Sequence, residues 1–219
     1  MKNNFKSFAA AAFLSAAFLI FTALVRRVDV QAIGPNGSLV GFAAVNRWFH
    51  ALTGVHWTLY HLTDWLEFVS LGIAFCFGVM GLVQLVRRRS LCKVDASILI
   101  LGIFYLVVIG VYVFFNWYVV NCRPVLIENI LEASYPSSTT VLVLCVHATA
   151  MMQLRDRMPR GTLRTIVLWL LGAFTVFMVL ARLISGVHWL TDIVGGVLLS
   201  AALVQFYRAA ASSAEGEII

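Results

Sequence analysis

The chain has 219 residues, 61% of them hydrophobic and only 12% charged, with a mean hydropathy of +0.92. A soluble domain usually carries about 25% charged residues, so this composition excludes a water-soluble protein. The net charge of +6 does not point to nucleic acid either, because most basic residues lie in short runs that flank apolar segments, the pattern of cytoplasmic loops.

In chain order, Lys2 and Lys6 precede an apolar run from Phe8 to Val25. That run exceeds the roughly 7–15 residues of a signal-peptide core and has no small-residue cleavage site before Arg26, so it reads as an uncleaved first helix. Further apolar runs place spans at about 7–26, 65–86, 96–119, 138–154, 163–181 and 188–207. The expectation is an all-α integral membrane protein, a bundle of six transmembrane helices forming a single membrane domain over residues 1–219. Six crossings leave both termini on one side. The basic loops holding Arg87, Arg88, Arg89 and Lys93, then Arg155, Arg157, Arg160 and Arg164, assign that side to the cytoplasm.

The longest connection, residues 27–64, opens with Gly34-Pro35-Asn36-Gly37. Its apolar spacing at Val40, Ala44 and Trp48, offset by Phe42, Val45 and Phe49, suits a short interfacial helix between Ser38 and His50. Trp48, Trp57, Tyr60 and Trp65 favour the headgroup level. This outer loop reads as a lid, either structural or in contact with a lipid. Cys76, Cys92, Cys122 and Cys145 lack metal-site spacing and read as buried or free thiols. The tail from Ala209 to Ile219 reads as a frayed end.

Three polar segments, all at outer helix ends, are not explained by membrane insertion. Asn121-Cys122-Arg123-Pro124 leaves an arginine where a proline stops the third helix. Tyr135-Pro136-Ser137-Ser138-Thr139-Thr140 opens the fourth helix, and hydroxyls at a helix start favour an anion. In the third, Arg182 stands six residues before His188, which stands four before Asp192. On a helix the last two share a face, so Asp192 can orient the imidazole of a histidine nucleophile. Arg182 offers a forked partner for phosphoryl oxygens.

Arg-x5-His-x3-Asp, preceded by Arg-Pro and Pro-Ser, resembles the three-part signature of the type 2 phosphatidic acid phosphatase (PAP2) superfamily, over residues 116–192. The resemblance implies a metal-independent, six-helix membrane phosphatase working through a phosphohistidine at the outer face. It makes His188 the nucleophile and Asp192 its orienting carboxylate. Arg123, Arg182 and Ser137 become phosphate contacts, with Ser138 and Thr139 at the same helix start. No cofactor or metal is implied, and the residues agree, having neither a carboxylate cluster nor a His-rich set. The implied partner is a lipid phosphate or pyrophosphate.

The departures are specific. The lysine that begins the family's first part is Asn116, and the serine before the third-part arginine is Ala181. The second part's histidine, the family's proton donor, is Thr139, and a hydroxyl is a poor general acid. His147, eight residues further along, lies about 12 Å deeper and suits an interhelical hydrogen bond. His50, His56 and His61 in the outer loop, and Tyr135, remain as replacement donors. Two functions are therefore expected: hydrolysis of a lipid phosphate or isoprenoid pyrophosphate, or a catalytically impaired binder or carrier of such lipids. A pyrophosphate suits a weakened acid because its leaving group needs less protonation.

Overall fold

The computed structural model describes residues 2–216, with side chains from Lys6 to Ala214. Seven α-helices build it: α1 (Lys2–Val25), α2 (Ala43–Thr53), α3 (Trp57–Arg88), α4 (Ala96–Trp117), α5 (Ser138–Arg157), α6 (Thr162–Ile184) and α7 (Leu190–Gly216). All but α2 are long, and α1, α3, α4, α6 and α7 are long and apolar enough to cross a membrane. Their outward faces carry exposed Phe13, Phe75, Leu106 and Trp169, as a lipid-facing surface requires. The protein is an all-α integral membrane protein.

The sixth long helix, α5, has 20 residues, about 30 Å at 1.5 Å per residue. It is the most polar of the six and sits centrally, packed against α3, α4, α6 and α7. An unsatisfied polar group in hydrocarbon costs several kcal/mol, so polar side chains force this helix inward. His147 is fully buried and bridges three helices, its ring 3.0 Å from Ser70 Oγ on α3 and 2.8 Å from Thr175 Oγ1 on α6. Gln153 donates to Tyr207 on α7. His147 thus has the interhelical role expected of it.

Three boundaries differ from the sequence expectation. Helix α3 begins at Trp57 rather than near residue 65, because its first turns carry His61 and Asp64 and lie outside the apolar run. Helix α7 begins at Leu190, which leaves His188 in the preceding turn. The tail is helical to Gly216, with Ala209 fully buried; burial of one face keeps it ordered, and residues 217–219 lie outside the described residues.

Residues 26–56 fold back over the bundle end. A small antiparallel hairpin pairs β1 (Gln31–Ala32) with β2 (Leu39–Val40). It takes up the segment where the expected helix would have started, so α2 begins at Ala43. Helix α2 clamps α7: buried Asn46 donates to Thr191 Oγ1 at 3.0 Å and accepts from Thr191 N at 3.2 Å. That satisfies a backbone donor orphaned at the start of α7. Backbone His56 N also donates to Ser185 O at 2.9 Å. The approach requires Gly186, whose φ is +71° and whose Cβ, if present, would lie 1.8 Å from Gly54 O.

At the opposite end, Asp95 accepts from Gln84, Arg88 and Arg157 at 2.9 Å each. These bonds, Arg157 foremost, hold its carboxyl down at about 2. The four cysteines are free thiols.

Close packing of α7 against the Tyr135 loop rests on Gly195, where a Cβ would meet the Tyr135 ring at 2.4 Å. Gly172 on α6 has nothing within 4 Å. Gly195→Ala should therefore destabilise the bundle by about 1–3 kcal/mol through overpacking, and Gly172→Ala should not. Thermal unfolding of both variants in detergent checks this, and equal effects would contradict the packing.

Candidate active site

Helices α1, α4 and α6 end, and α3, α5 and α7 begin, at the same end of the bundle. The 118–137 connection crosses that end as an irregular hairpin: Arg123 N donates to Glu132 O at 3.0 Å and Ser134 N to Asn121 O at 2.9 Å. This pairing sets Arg123 and Ser134 side by side, facing the turn between α6 and α7. A cavity of about 610 Å³ opens there, with Glu67, Arg123, Glu132, Ser134, Ser138 and His188 among its polar lining.

His188 is 2% exposed and contacted at both ring nitrogens. Nδ1 lies 3.1 Å from Ser134 Oγ, and Ser134 Oγ in turn donates to Asp192 Oδ2. At Nε2, Arg123 Nη1 approaches to 3.2 Å. Arginine only donates, so Nε2 presents its lone pair to Arg123 and the ring proton sits on Nδ1. Asp192 is fully buried, and its Oδ2 is 3.7 Å from His188 Nδ1, too far for a direct hydrogen bond. The expected His–Asp pair is thus hydrogen-bonded through a serine: with His188 outside the helix, four-residue spacing brings the two within 3.7 Å but not into a direct hydrogen bond. Asp192 is fixed further by Trp189 N at 2.9 Å and Asn121 Nδ2 at 3.3 Å.

Both arginines are buried, Arg123 at 8% and Arg182 at 2% exposure. Arg182 Nη1 donates to Asp64 Oδ1 at 2.7 Å and Thr63 Oγ1 at 3.0 Å, and its guanidinium lies 4.8 Å from the Tyr60 ring centroid. Arg182 is not among the cavity-lining residues, although its charge reaches His188. Glu132 lies 2.9 Å from Arg123 Nε, out of line for a hydrogen bond, and Arg182 Nε also lacks one. A buried donor without a hydrogen bond costs about 1–3 kcal/mol; Arg182 Nε is such a donor, and Arg123 Nε is held by the Glu132 ion pair alone.

Ser137 is the N-cap of α5: its hydroxyl accepts from Thr140, and its N–H donates to Asp192 O at 3.0 Å. It is fully buried and ties α5 to α7, whereas Ser138 lines the cavity. Thr139 Oγ1 donates to Glu67 Oε2 at 2.9 Å. Asn116 lines the cavity and bonds back to Tyr112 O on its own helix.

The replacement donors read from sequence are engaged elsewhere or exposed. The Tyr135 hydroxyl is 2.7 Å from Thr22 Oγ1 on α1, and burial pushes its pKa up. His50 contacts Gly186 O, His56 contacts Thr53 O, and His61 is exposed. Sequence reasoning placed Asn121 in a polar segment without a role and missed Ser134, Asp64, Glu67 and Glu132. Of the four missed, Glu67 carried a signal, as an ionisable residue within an apolar run.

This is a helical membrane bundle with a buried His–Ser–Asp relay and two buried arginines at one end. Residues 96–213 match the PAP2 superfamily, and the chain belongs to it. The fold is similar to the crystal structure of a transmembrane PAP2-type phosphatidylglycerolphosphate phosphatase from Bacillus subtilis. That likeness has 20% sequence identity and a TM-score of 0.52, over 91% of this chain and 94% of that one. No curated protein matches the sequence.

Burial, and then the charges of Arg123 and Arg182, hold the His188 pKa well below the ordinary 6.5. The ring is therefore neutral at pH 7, and it protonates only as pH falls well past 6.5. NMR titration of the His188 ring checks this. Arg123→Gln should raise the midpoint by removing one positive charge, and a wild-type midpoint at or above 6.5 would contradict the geometry.

Proposed function

We propose that this chain is a membrane phosphatase that hydrolyses a lipid phosphate or isoprenoid pyrophosphate through a phosphohistidine at His188. One observation carries the reading: a neutral, buried His188 presents the Nε2 lone pair to the buried guanidinium of Arg123 at 3.2 Å. Membership of the PAP2 superfamily supports it.

A bound phosphoryl group would draw the Arg123 N–H groups onto its oxygens, because a charge-assisted bond to an anion is stronger than one to a neutral imidazole. Release of Nε2 then exposes the nucleophile where phosphorus is held. Attack forms the N–P bond, the P–O bond to the leaving group breaks, and the ring becomes cationic. Its Nδ1 proton is held by Ser134, which passes the influence of Asp192 to the ring. Arg123 stabilises the oxygens as charge accumulates, with Arg182 adding its field. Water then cleaves the N–P bond and restores His188. Glu132 and Asp64, each within 3 Å of one arginine, occupy positions that phosphate oxygens would compete for.

The lipid assignment rests on the cavity's other wall. It is apolar, and Ile109 and Tyr112 on α4 are 57% and 55% exposed on the outward face, so an acyl or prenyl chain can enter sideways from the bilayer. No metal or cofactor takes part in this scheme. The basic connections after α3 and α5 support a single membrane domain with both termini in the cytoplasm and the site at the outer face.

Phosphate release by purified protein from a panel of lipid phosphates and pyrophosphates tests the activity. His188→Ala should lower turnover by at least about 10³-fold, since losing a nucleophile removes most of the catalysis. Phosphate analogues that bind without any turnover would favour a carrier instead. Topology is tested by impermeant thiol labelling of intact cells: cysteine at position 128 should label and cysteine at position 88 should not, and the reverse pattern would invert the orientation.

A further inference from the structure

The proposed reaction needs a proton for its leaving oxygen. The position the family gives to a histidine is Thr139, which cannot supply one at neutral pH. Thr139 is not idle: its hydroxyl donates to Glu67 Oε2 at 2.9 Å. Glu67 is half-buried on α3, and its residue lines the same cavity as His188, Arg123 and Ser138. Besides Asp192, which is bonded through Ser134 to His188, three carboxyl groups surround this site, and two are committed to ion pairs, Asp64 with Arg182 at 2.7 Å and Glu132 with Arg123 at 2.9 Å. Among the described residues Glu67 has no ion-pair partner. An unpaired carboxyl in an apolar wall retains its proton more readily than a paired one, and a bond from Thr139 to one oxygen leaves the other to carry it.

We infer that Glu67 of α3, held by Thr139 of α5 at the cavity wall, is the proton donor to the leaving group, in place of the family histidine. The inference rests on the phosphatase reading above. As His188 Nε2 bonds to phosphorus and the P–O bond breaks, the Glu67 carboxyl gives its proton to the departing oxygen, and the lipid alcohol leaves neutral. Glu67, now a carboxylate, takes a proton from the water that attacks the phosphohistidine. The N–P bond breaks, inorganic phosphate departs, and both residues return to their starting states. The same carboxyl therefore serves as acid and then as base, and Thr139 acts as its positioning residue.

The test compares two esters that differ in their need for protonation: a short-chain diacylglycerol phosphate, with a basic alkoxide leaving group, and p-nitrophenyl phosphate, whose leaving group departs unprotonated. A positioned acid contributes about 10²–10⁴-fold. Glu67→Gln, which keeps shape, should lose on the order of 10²-fold or more in kcat/KM on the first ester and under about tenfold on the second. Thr139→Val should produce a smaller loss with the same selectivity, and it provides the readout if the Glu67 variant does not fold. Glu67→Gln with unchanged rates, or with equal losses on both esters, would overturn the donor assignment while leaving the phosphatase reading intact. Wild-type protein inactive on both esters and on the lipid panel would overturn that reading, and this inference with it.

Discussion

Burial of charge next to lipid is the constraint on which the rest of this structure depends. His188, Asp192, Arg123 and Arg182 are all less than a tenth exposed at one end of a bundle whose sides face hydrocarbon. A buried charge without partners costs several kcal/mol, so every surrounding element is bent to supply them. The 118–137 connection crosses the bundle end to bring Asn121, Arg123 and Ser134 together. Helix α3 extends two turns beyond its apolar run and delivers Thr63 and Asp64 to Arg182. Among the described residues, the Nε atoms of both arginines are buried without a hydrogen-bond partner, that of Arg123 being held only by the Glu132 ion pair at 2.9 Å.

The same constraint accounts for α5 and α2. A helix with His147, Thr149 and Gln153 buried along its length cannot face lipid, and its central place makes it the axis from which the site is hung. Its first turn is fixed from two directions, by the Ser137 N-cap and by the bond from Ser137 N to Asp192 O. Helix α2 contributes from outside. Asn46 holds the start of α7, and backbone contacts at Gly54 and His56 hold the turn that carries His188. The connection between α1 and α3 thus braces the backbone around His188, and its close approach requires the left-handed glycine at Gly186, two residues before His188.

Much of this was legible in the sequence, for definable reasons. Hydrophobic runs revealed the long helices because lipid imposes a length and a composition. Arg123, Arg182, His188 and Asp192 stood out because each is an ionisable or chemically active group where insertion does not require one. What stayed hidden depends on distant segments meeting. Ser134 is an ordinary loop serine until the hairpin sets it between His188 and Asp192. Spacing pointed to a direct pair on one helix, whereas α7 starts two residues after His188. Glu67 lies 72 residues from Thr139, and no local pattern links them. The early start of α3 was masked because polar first turns look like loop when hydropathy is the guide.

The central claim, that the Arg123–His188–Ser134–Asp192 array is built to receive a phosphoryl group at His188 Nε2, is tested most directly by an experimental structure with orthovanadate. Vanadium should lie within bonding distance of His188 Nε2, its equatorial oxygens should take the Arg123 donors that Nε2 now accepts from, and the Nδ1–Ser134–Asp192 relay should be unchanged. Vanadate bound away from His188, or Arg123 still bonded to Nε2 with the anion in place, would contradict the account.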